Sequence, residues 1–181
     1  MDWDSFLFYE INGWAGQSEV LDWLLLECSH ASNFVFFALA YLGYRIWVNW
    51  KQGLLTLPIL GLAVGISDFI GMQMKLFFAR PRPCQAFLNV QQLVDCGESF
   101  SMPSNHAFNS ATAALFLWIV FPSSRWVVGT LMILVGLSRI FLGAHYPTDV
   151  LAGWGLGGML GMTLGYFLIR SKPFREEKIT I

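Results

Sequence analysis

Three short clusters hold most of the residues in this chain that can do chemistry beside an apolar run. The first, KLFFARPRP, carries Lys75, Arg80 and Arg82. The second, PSNH, is Pro103, Ser104, Asn105 and His106. The third, SRIFLGAHYPTD, carries Ser138, Arg139, His145 and Asp149. Guanidinium groups grip phosphate oxygens through paired, charge-assisted hydrogen bonds, so Arg82 and Arg139 read as phosphate ligands, with Lys75 adding a point charge. Proline suits a first helical turn, which predicts a helix opening at Pro103 with the amides of Ser104, Asn105 and His106 directed outward as an anion site. His145 and Asp149 are four residues apart, close enough for the carboxylate to hold one ring nitrogen and present the other as a nucleophile. His106 can then donate a proton to the departing oxygen. Two histidines and one carboxylate amid three cations make a poor site for a divalent ion, so no metal or other cofactor is expected.

Each cluster also has an ordinary structural account. Lys75 and Arg80 read as snorkelling flanks, Ser104 and Asn105 as helix-start residues, and His145 with Asp149 as a local pair fixing a turn. What those accounts leave unexplained is convergence on one face, and that depends on the elements carrying the clusters. The chain has 181 residues, 55% hydrophobic and only 13% charged, where a soluble domain carries about a quarter charged. The formal net charge of −1 gives no support for nucleic-acid binding.

A bilayer core of ~30 Å takes about 20 apolar residues as helix. Runs at 54–78, 103–121, 125–144 and 148–169 meet that standard, and 31–50 is apolar but interrupted by Tyr44 and Arg45. The expected fold is therefore all-α, a polytopic membrane helix bundle with five spans, six being the alternative. Residues 1–30 are expected to lie at the interface as an amphipathic segment, with Trp3, Phe6, Trp14 and Trp23 suited to that level. A catalytic unit over 31–170 and a cytoplasmic tail over 171–181 complete the organisation. Arg45, Lys51, Arg125, Arg170, Lys172, Arg175 and Lys178 then fall on one side, which the positive-inside rule makes cytoplasmic. All three clusters fall on the other side, with Arg80, Arg82 and Arg139 placed against the charge trend. Cys84 and Cys96 share that outer side, which fits a disulfide, although two unpaired thiols satisfy the sequence as well. Asp68 faces the same way as Lys75, and is read as orienting it or as bonding a neighbouring span. The small-residue spacings of Gly153, Gly157, Gly161 and Gly165 indicate close helix packing.

With those residues in place, the chain resembles the type 2 phosphatidic acid phosphatase family. That family's signature is a lysine separated by six residues from Arg-Pro, then Pro-Ser-Gly-His, then Ser-Arg followed at fixed spacing by His and Asp. Here it reads Lys75 to Arg82-Pro83, Pro103 to His106, and Ser138-Arg139 to His145 and Asp149, over roughly 54–169. The resemblance implies metal-independent hydrolysis through a phosphohistidine, with His145 as nucleophile, Asp149 as its partner and His106 as the acid. It also implies phosphate binding by Lys75, Arg82, Ser104, Asn105 and Arg139. Asn105 stands where the family usually has glycine. Asparagine tolerates left-handed backbone geometry, so a phosphate loop can survive there, while the added side chain can narrow the site.

A site at the rim of the spans favours a phosphate carried by a membrane lipid. The resemblance to that family makes lipid A 1-phosphate, at the periplasmic face of a bacterial inner membrane, the first expectation, with undecaprenyl diphosphate and phosphatidylglycerol phosphate as the alternatives it also implies. A reading of another class is a transporter or lipid-binding scaffold that keeps a phosphate site, and pure binding would not require the pairing of His145 with Asp149.

Overall fold

The computed structural model describes residues 2–175, so the last six residues of the expected tail, with Lys178, lie outside the described residues. The described residues are helical and contain no strand. Helix α1 (Trp3–Asn12) starts where the Asp2 carboxylate accepts from the Ser5 amide at 2.7 Å, and α2 (Glu19–Ser29) starts where Ser18 caps Leu21. Capping of this kind satisfies amides that a helix start leaves without partners. Helix α3 (Ala31–Val48) and α4 (Trp50–Phe78) are separated by one residue, Asn49, whose side chain caps α4 at Gln52. So tight a reversal works because Gly53 has no side chain: a Cβ there would fall 2.5 Å from Ile46. Then come the short α5 (Pro83–Ala86), α6 (Asn105–Val120), α7 (Arg125–Phe141), α8 (Pro147–Ile169) and α9 (Lys172–Arg175).

Helix α6 is the centre of the bundle, packed against α4, α7 and α8. Its closest neighbour is α8, and glycines make the approach possible. A Cβ at Gly157 or Gly161 would sit 2.3 Å from the Phe108 or Thr112 carbonyl oxygen, so alanine at either position would push the two helices apart. At the end of the bundle remote from the three clusters, Leu42, Phe116, Leu117, Val120, Phe121 and Leu168 close an apolar core. Because α6 and α8 are locked over several turns, the loops at their opposite ends are held at fixed separation.

Among the described residues, three stretches are long and apolar enough to cross a membrane: Trp50–Ala86, Pro122–Phe141 and Pro147–Ile169. Helices α3, α4, α6, α7 and α8 fall on the five stretches expected to span. Helix α6, with 16 residues and so about 24 Å of rise, is the shortest of the five and is enclosed by its neighbours.

One local expectation is corrected. Pro103 does not open α6: the helix begins at Asn105 with Ser104 as its cap, because the Ser104 hydroxyl accepts from the Ala107 amide. Residues 1–30 hold two helices, α1 and α2. Trp3, Trp14 and Trp23 stay exposed, but Phe8 and Asn12 of α1 are buried against the rest of the molecule.

Candidate active site

Helix α8 starts at Pro147, whose missing amide proton costs nothing in a first turn, and the turn before it carries His145. That turn is a tight one. The amides of Ala144 and His145 both donate to the Arg139 carbonyl at 3.1 Å, and Gly143 supplies the left-handed backbone the reversal needs (φ 78°). His145 therefore comes to rest over the end of α7, 2% exposed. Its Nδ1 lies 3.6 Å from Asp149 Oδ2 and 3.4 Å from Ser101 Oγ, while Nε2 lies 3.4 Å from Arg82 Nη1. One face of the imidazole is thus held by a carboxylate and a hydroxyl, and the other is turned to a cation that can hold an anion.

The cations come from three parts of the chain: α4, the 79–102 segment and α7. Lys75, on the last turn of α4, donates from Nζ to the Phe100 carbonyl at 2.6 Å and to that of Ser101 at 3.4 Å. Arg82 donates from Nε to the Ser99 carbonyl (2.7 Å), from Nη2 to Ser99 Oγ (2.8 Å) and from Nη1 to the Ala144 carbonyl (3.2 Å). Arg139 donates from Nη1 to Ser29 Oγ at the end of α2, and its buried Nε has no partner among the described residues. His145 feels this company. Burial disfavours its charged form most, Arg82 and Lys75 add to that, and Asp149 opposes them; the pKa falls to about 3, leaving a neutral imidazole at physiological pH.

The second cluster occupies the other wall. The Ser104 amide donates to the Asp149 carbonyl at 3.0 Å, so that amide is not free as expected, and Ser104 instead ties the start of α6 to α8. The amides of Asn105 and His106 make no hydrogen bond within the described residues and remain at the open end of α6. Asn105 sits in ordinary helical geometry, not in the left-handed region, and its side chain bonds Asp68 Oδ1 at 2.9 Å. The role considered for Asp68, orienting Lys75, is not what the contacts show: its hydrogen bonds go to Asn105 and Asn109. His106 lines an apolar cavity of about 490 Å³ shared with Leu57, Leu60, Val64, Asp68 and Asn109. Arg82, Arg139 and His145 are not part of that cavity's lining.

The sequence reading names Arg80 without a role and misses Asp4, Ser99 and Ser101. Arg80, for which a snorkelling flank is the ordinary account, is a bridge. Its Nη1 donates to Asp149 Oδ1 at 2.8 Å and its Nη2 to Asp4 Oδ2 at 2.6 Å, while its guanidinium stacks 3.7 Å over the Tyr146 ring. Asp4, from α1, also accepts from the Thr148 amide at 2.9 Å. Ser101 Oγ donates to Asp149 Oδ2, and Ser99 braces Arg82. The fourth oxygen contact of Asp149 is the Tyr146 amide at 2.9 Å. Charge could have exposed part of this. The orientation derived from the sequence puts the N-terminus beside three arginines, and an acid there has an obvious partner. The serines carry no such signal.

Residues 79–102, which supply Arg80, Arg82, Ser99 and Ser101, are pinned at several points. Cys84 and Cys96 form a disulfide, with their Cα atoms 6.0 Å apart. Asn12 of α1 donates to the Gln91 and Phe141 carbonyls, both at 2.8 Å, and accepts from the Gln91 amide at 2.9 Å. Phe8, Tyr9, Phe87 and Tyr146 stack together beneath.

Comparison with known proteins finds a family model, described as the PAP2 superfamily, that matches residues 56–172. An undecaprenyl-diphosphatase of Sulfolobus acidocaldarius is 35% identical over 97 residues, 52% of this chain; the match spans only 47% of that relative's length. Phosphatidylglycerophosphatase B of Bacillus subtilis is 32% identical over 160 residues, 81% of this chain and 74% of the relative. A lipid A 4'-phosphatase of Bacteroides thetaiotaomicron is 30% identical over 178 residues, 83% and 76% of the two chains. The crystal structure of a transmembrane phosphatidylglycerolphosphate phosphatase from B. subtilis superimposes with a TM-score of 0.68 at 28% identity, covering 97% of this chain and 87% of that one.

Proposed function

The chain belongs to the PAP2 superfamily, and we propose that it is a multi-pass membrane phosphatase removing a phosphate from a lipid headgroup at the periplasmic face. The observation that carries the reading is the setting of His145, with Asp149 and Ser101 at Nδ1 and Arg82 at Nε2. Nε2 is the atom left to attack. Its lone pair forms the N–P bond as the P–O bond to the lipid breaks, and His106 gives its proton to the departing alkoxide. Water then attacks the phosphohistidine, returning a proton to His106 and releasing inorganic phosphate. Arg82, Arg139, Lys75 and the open amides of Asn105 and His106 bear the charge that builds on the phosphoryl oxygens; Ser104 supports them by fixing the start of α6. No step requires a metal, because fixed cations fill that role.

The substrate is a phosphorylated membrane lipid, with lipid A 1-phosphate as the first choice and undecaprenyl diphosphate or phosphatidylglycerol phosphate as alternatives. Relatives named for each of these lipid classes support that set, and the apolar cavity beside His106 suits a lipid rather than a free phosphate ester. A transporter or scaffold has no need of the arrangement around His145. The test is phosphate release by purified protein from a panel of these lipids, in the presence of EDTA. Turnover of at least one lipid with EDTA present is expected; strict dependence on added Mg²⁺ would overturn the mechanism.

A further inference from the structure

One carboxylate on the lipid side of the site has no part in this chemistry. Asp68 lies on α4 seven residues before Lys75, about 10 Å further into the apolar run. Its Oδ1 accepts from Asn105 Nδ2 at 2.9 Å and Asn109 Nδ2 at 3.1 Å. Asn109 is braced in turn by Ser67, whose hydroxyl donates to Asn109 Oδ1 at 2.7 Å. Gly71 makes room for the cluster, since a Cβ there would fall 2.6 Å from Asn105 Oδ1. The other carboxylate oxygen, Oδ2, accepts no hydrogen bond from the described residues, and Asp68 lines the cavity together with His106. An ionisable side chain inside a membrane span is costly and points to a use, with a partner to be named.

The partner follows from the reaction, so this inference rests on the phosphatase reading. If His106 protonates the leaving oxygen, the leaving group departs past His106 into the cavity that Asp68 lines. We propose that Asp68, held by Asn105 and Asn109, binds a hydrogen-bond donor on the leaving alcohol, near the phosphoester oxygen. A carboxylate only accepts hydrogen bonds, so the group recognised is a hydroxyl, an amide N–H or an ammonium. The hydroxyl of a glycerol phosphate headgroup and the amide of a phosphorylated glucosamine share that chemistry. An isoprenyl diphosphate does not: its leaving group is a phosphate anion, which Asp68 would repel. The site therefore selects lipid phosphomonoesters of polyol or amino-sugar type over isoprenyl diphosphates.

Wild-type protein decides the matter with paired substrates. The pairs are phosphatidylglycerol phosphate against its analogue lacking the central glycerol hydroxyl, and lipid A 1-phosphate against undecaprenyl diphosphate. The first of each pair is expected to show kcat/KM higher by about tenfold or more, because a site built to bond a hydroxyl rejects the analogue without it. Which parent lipid is turned over faster separates the glycerol and sugar sources. Asp68→Asn, which keeps the shape and removes the charge, is expected to bring both ratios within about threefold of unity. If the variant does not fold, the wild-type ratios stand alone as the test. Equal turnover of the hydroxyl and deoxy lipids by wild type overturns this inference and leaves the phosphatase reading intact. Absence of phosphate release from every lipid overturns both.

Discussion

The two histidines of the site live in different surroundings. His145 is almost sealed, with Asp149, Ser101, Arg82 and the Arg139 carbonyl all within bonding or near-bonding distance. The groups around it come from four separate parts of the chain: α1 through Asp4 and Arg80, the 79–102 segment, the end of α7 and the start of α8. His106 is partly buried, hydrogen-bonds through its side chain to no described residue, and faces a cavity lined mainly by aliphatic side chains. The contrast has a chemical reason. A nucleophile must be neutral, aimed and still, and buried contacts from several directions provide that. In the proposed reaction the leaving alcohol passes His106, so that side has to stay open enough for a lipid to enter, with recognition left to groups deeper in the cavity such as Asp68.

The sharpest way to break that contrast is to truncate each histidine in turn. His145→Ala is expected to lower kcat by at least about 10⁴-fold on every substrate, because the covalent step is lost. His106→Ala is expected to cost about 10²–10⁴-fold on lipid substrates and much less on p-nitrophenyl phosphate, whose leaving group needs no proton. Phosphate assays on detergent-purified variants, with monodispersity as the folding check, measure both. Equal losses from His106→Ala on the two substrate types would remove the acid role, and turnover by His145→Ala would remove the nucleophile.

A smaller effect is expected one step further out. Arg80 touches no reacting atom; it holds Asp149 and is itself held by Asp4, so it is a positioning residue. Arg80→Gln is expected to lower kcat by about 10²-fold with KM little changed, since a misaimed group costs that much. Arg80→Lys should recover little of this, because a point charge cannot span two carboxylates as the planar fork does. Asp4→Asn should cost less, and the double variant should be no worse than Arg80→Gln alone, as expected for residues in one chain of contacts. Additive losses, or a KM effect without a kcat effect, would show that the N-terminal helix does not sharpen the nucleophile's side.

How legible each part was in the sequence follows from the physics involved. The bundle was visible because apolar runs of bilayer length announce helices, and α4, α7 and α8 begin or end within a few residues of the expected bounds. The contact of Arg82 with His145 was visible as a motif and as cations placed against the charge trend. The start of α6 was misjudged by two residues because proline before a helix and proline inside its first turn give the same local signal. Arg80 was legible only in part: its place against the charge trend marks it as useful, but an arginine flanking a span is usually anchored in water, and it takes the fold to single out Asp4 and Asp149 as its partners. The serines at 99 and 101 were illegible, since small hydroxyl residues in a loop have no spacing rule tying them to a histidine 44 or more residues away.

The smallest expected effect concerns stability rather than rate, and it tests whether the nucleophile is held neutral. His145 has a pKa of about 3 in the folded protein against 6.5 ordinarily. Above pH 6.5 the imidazole is neutral in both folded and unfolded chains and contributes no pH dependence. Below 6.5 the unfolded chain takes up a proton that the folded one refuses, so stability falls as pH falls, by up to about 1.4 kcal/mol per unit until the folded pKa is reached. At pH 5.5 the loss is about 1.4 kcal/mol, or a few degrees in Tm for a chain of this size. His145→Gln cannot bind that proton, so its Tm should decline less than wild type's between pH 7.5 and 5.5, other titrating groups cancelling in the difference. Thermal scans of both proteins in the same detergent give that difference directly. Parallel declines would mean that His145 charges as readily inside the fold as outside it, and a charged imidazole has no lone pair at Nε2 with which to attack phosphorus.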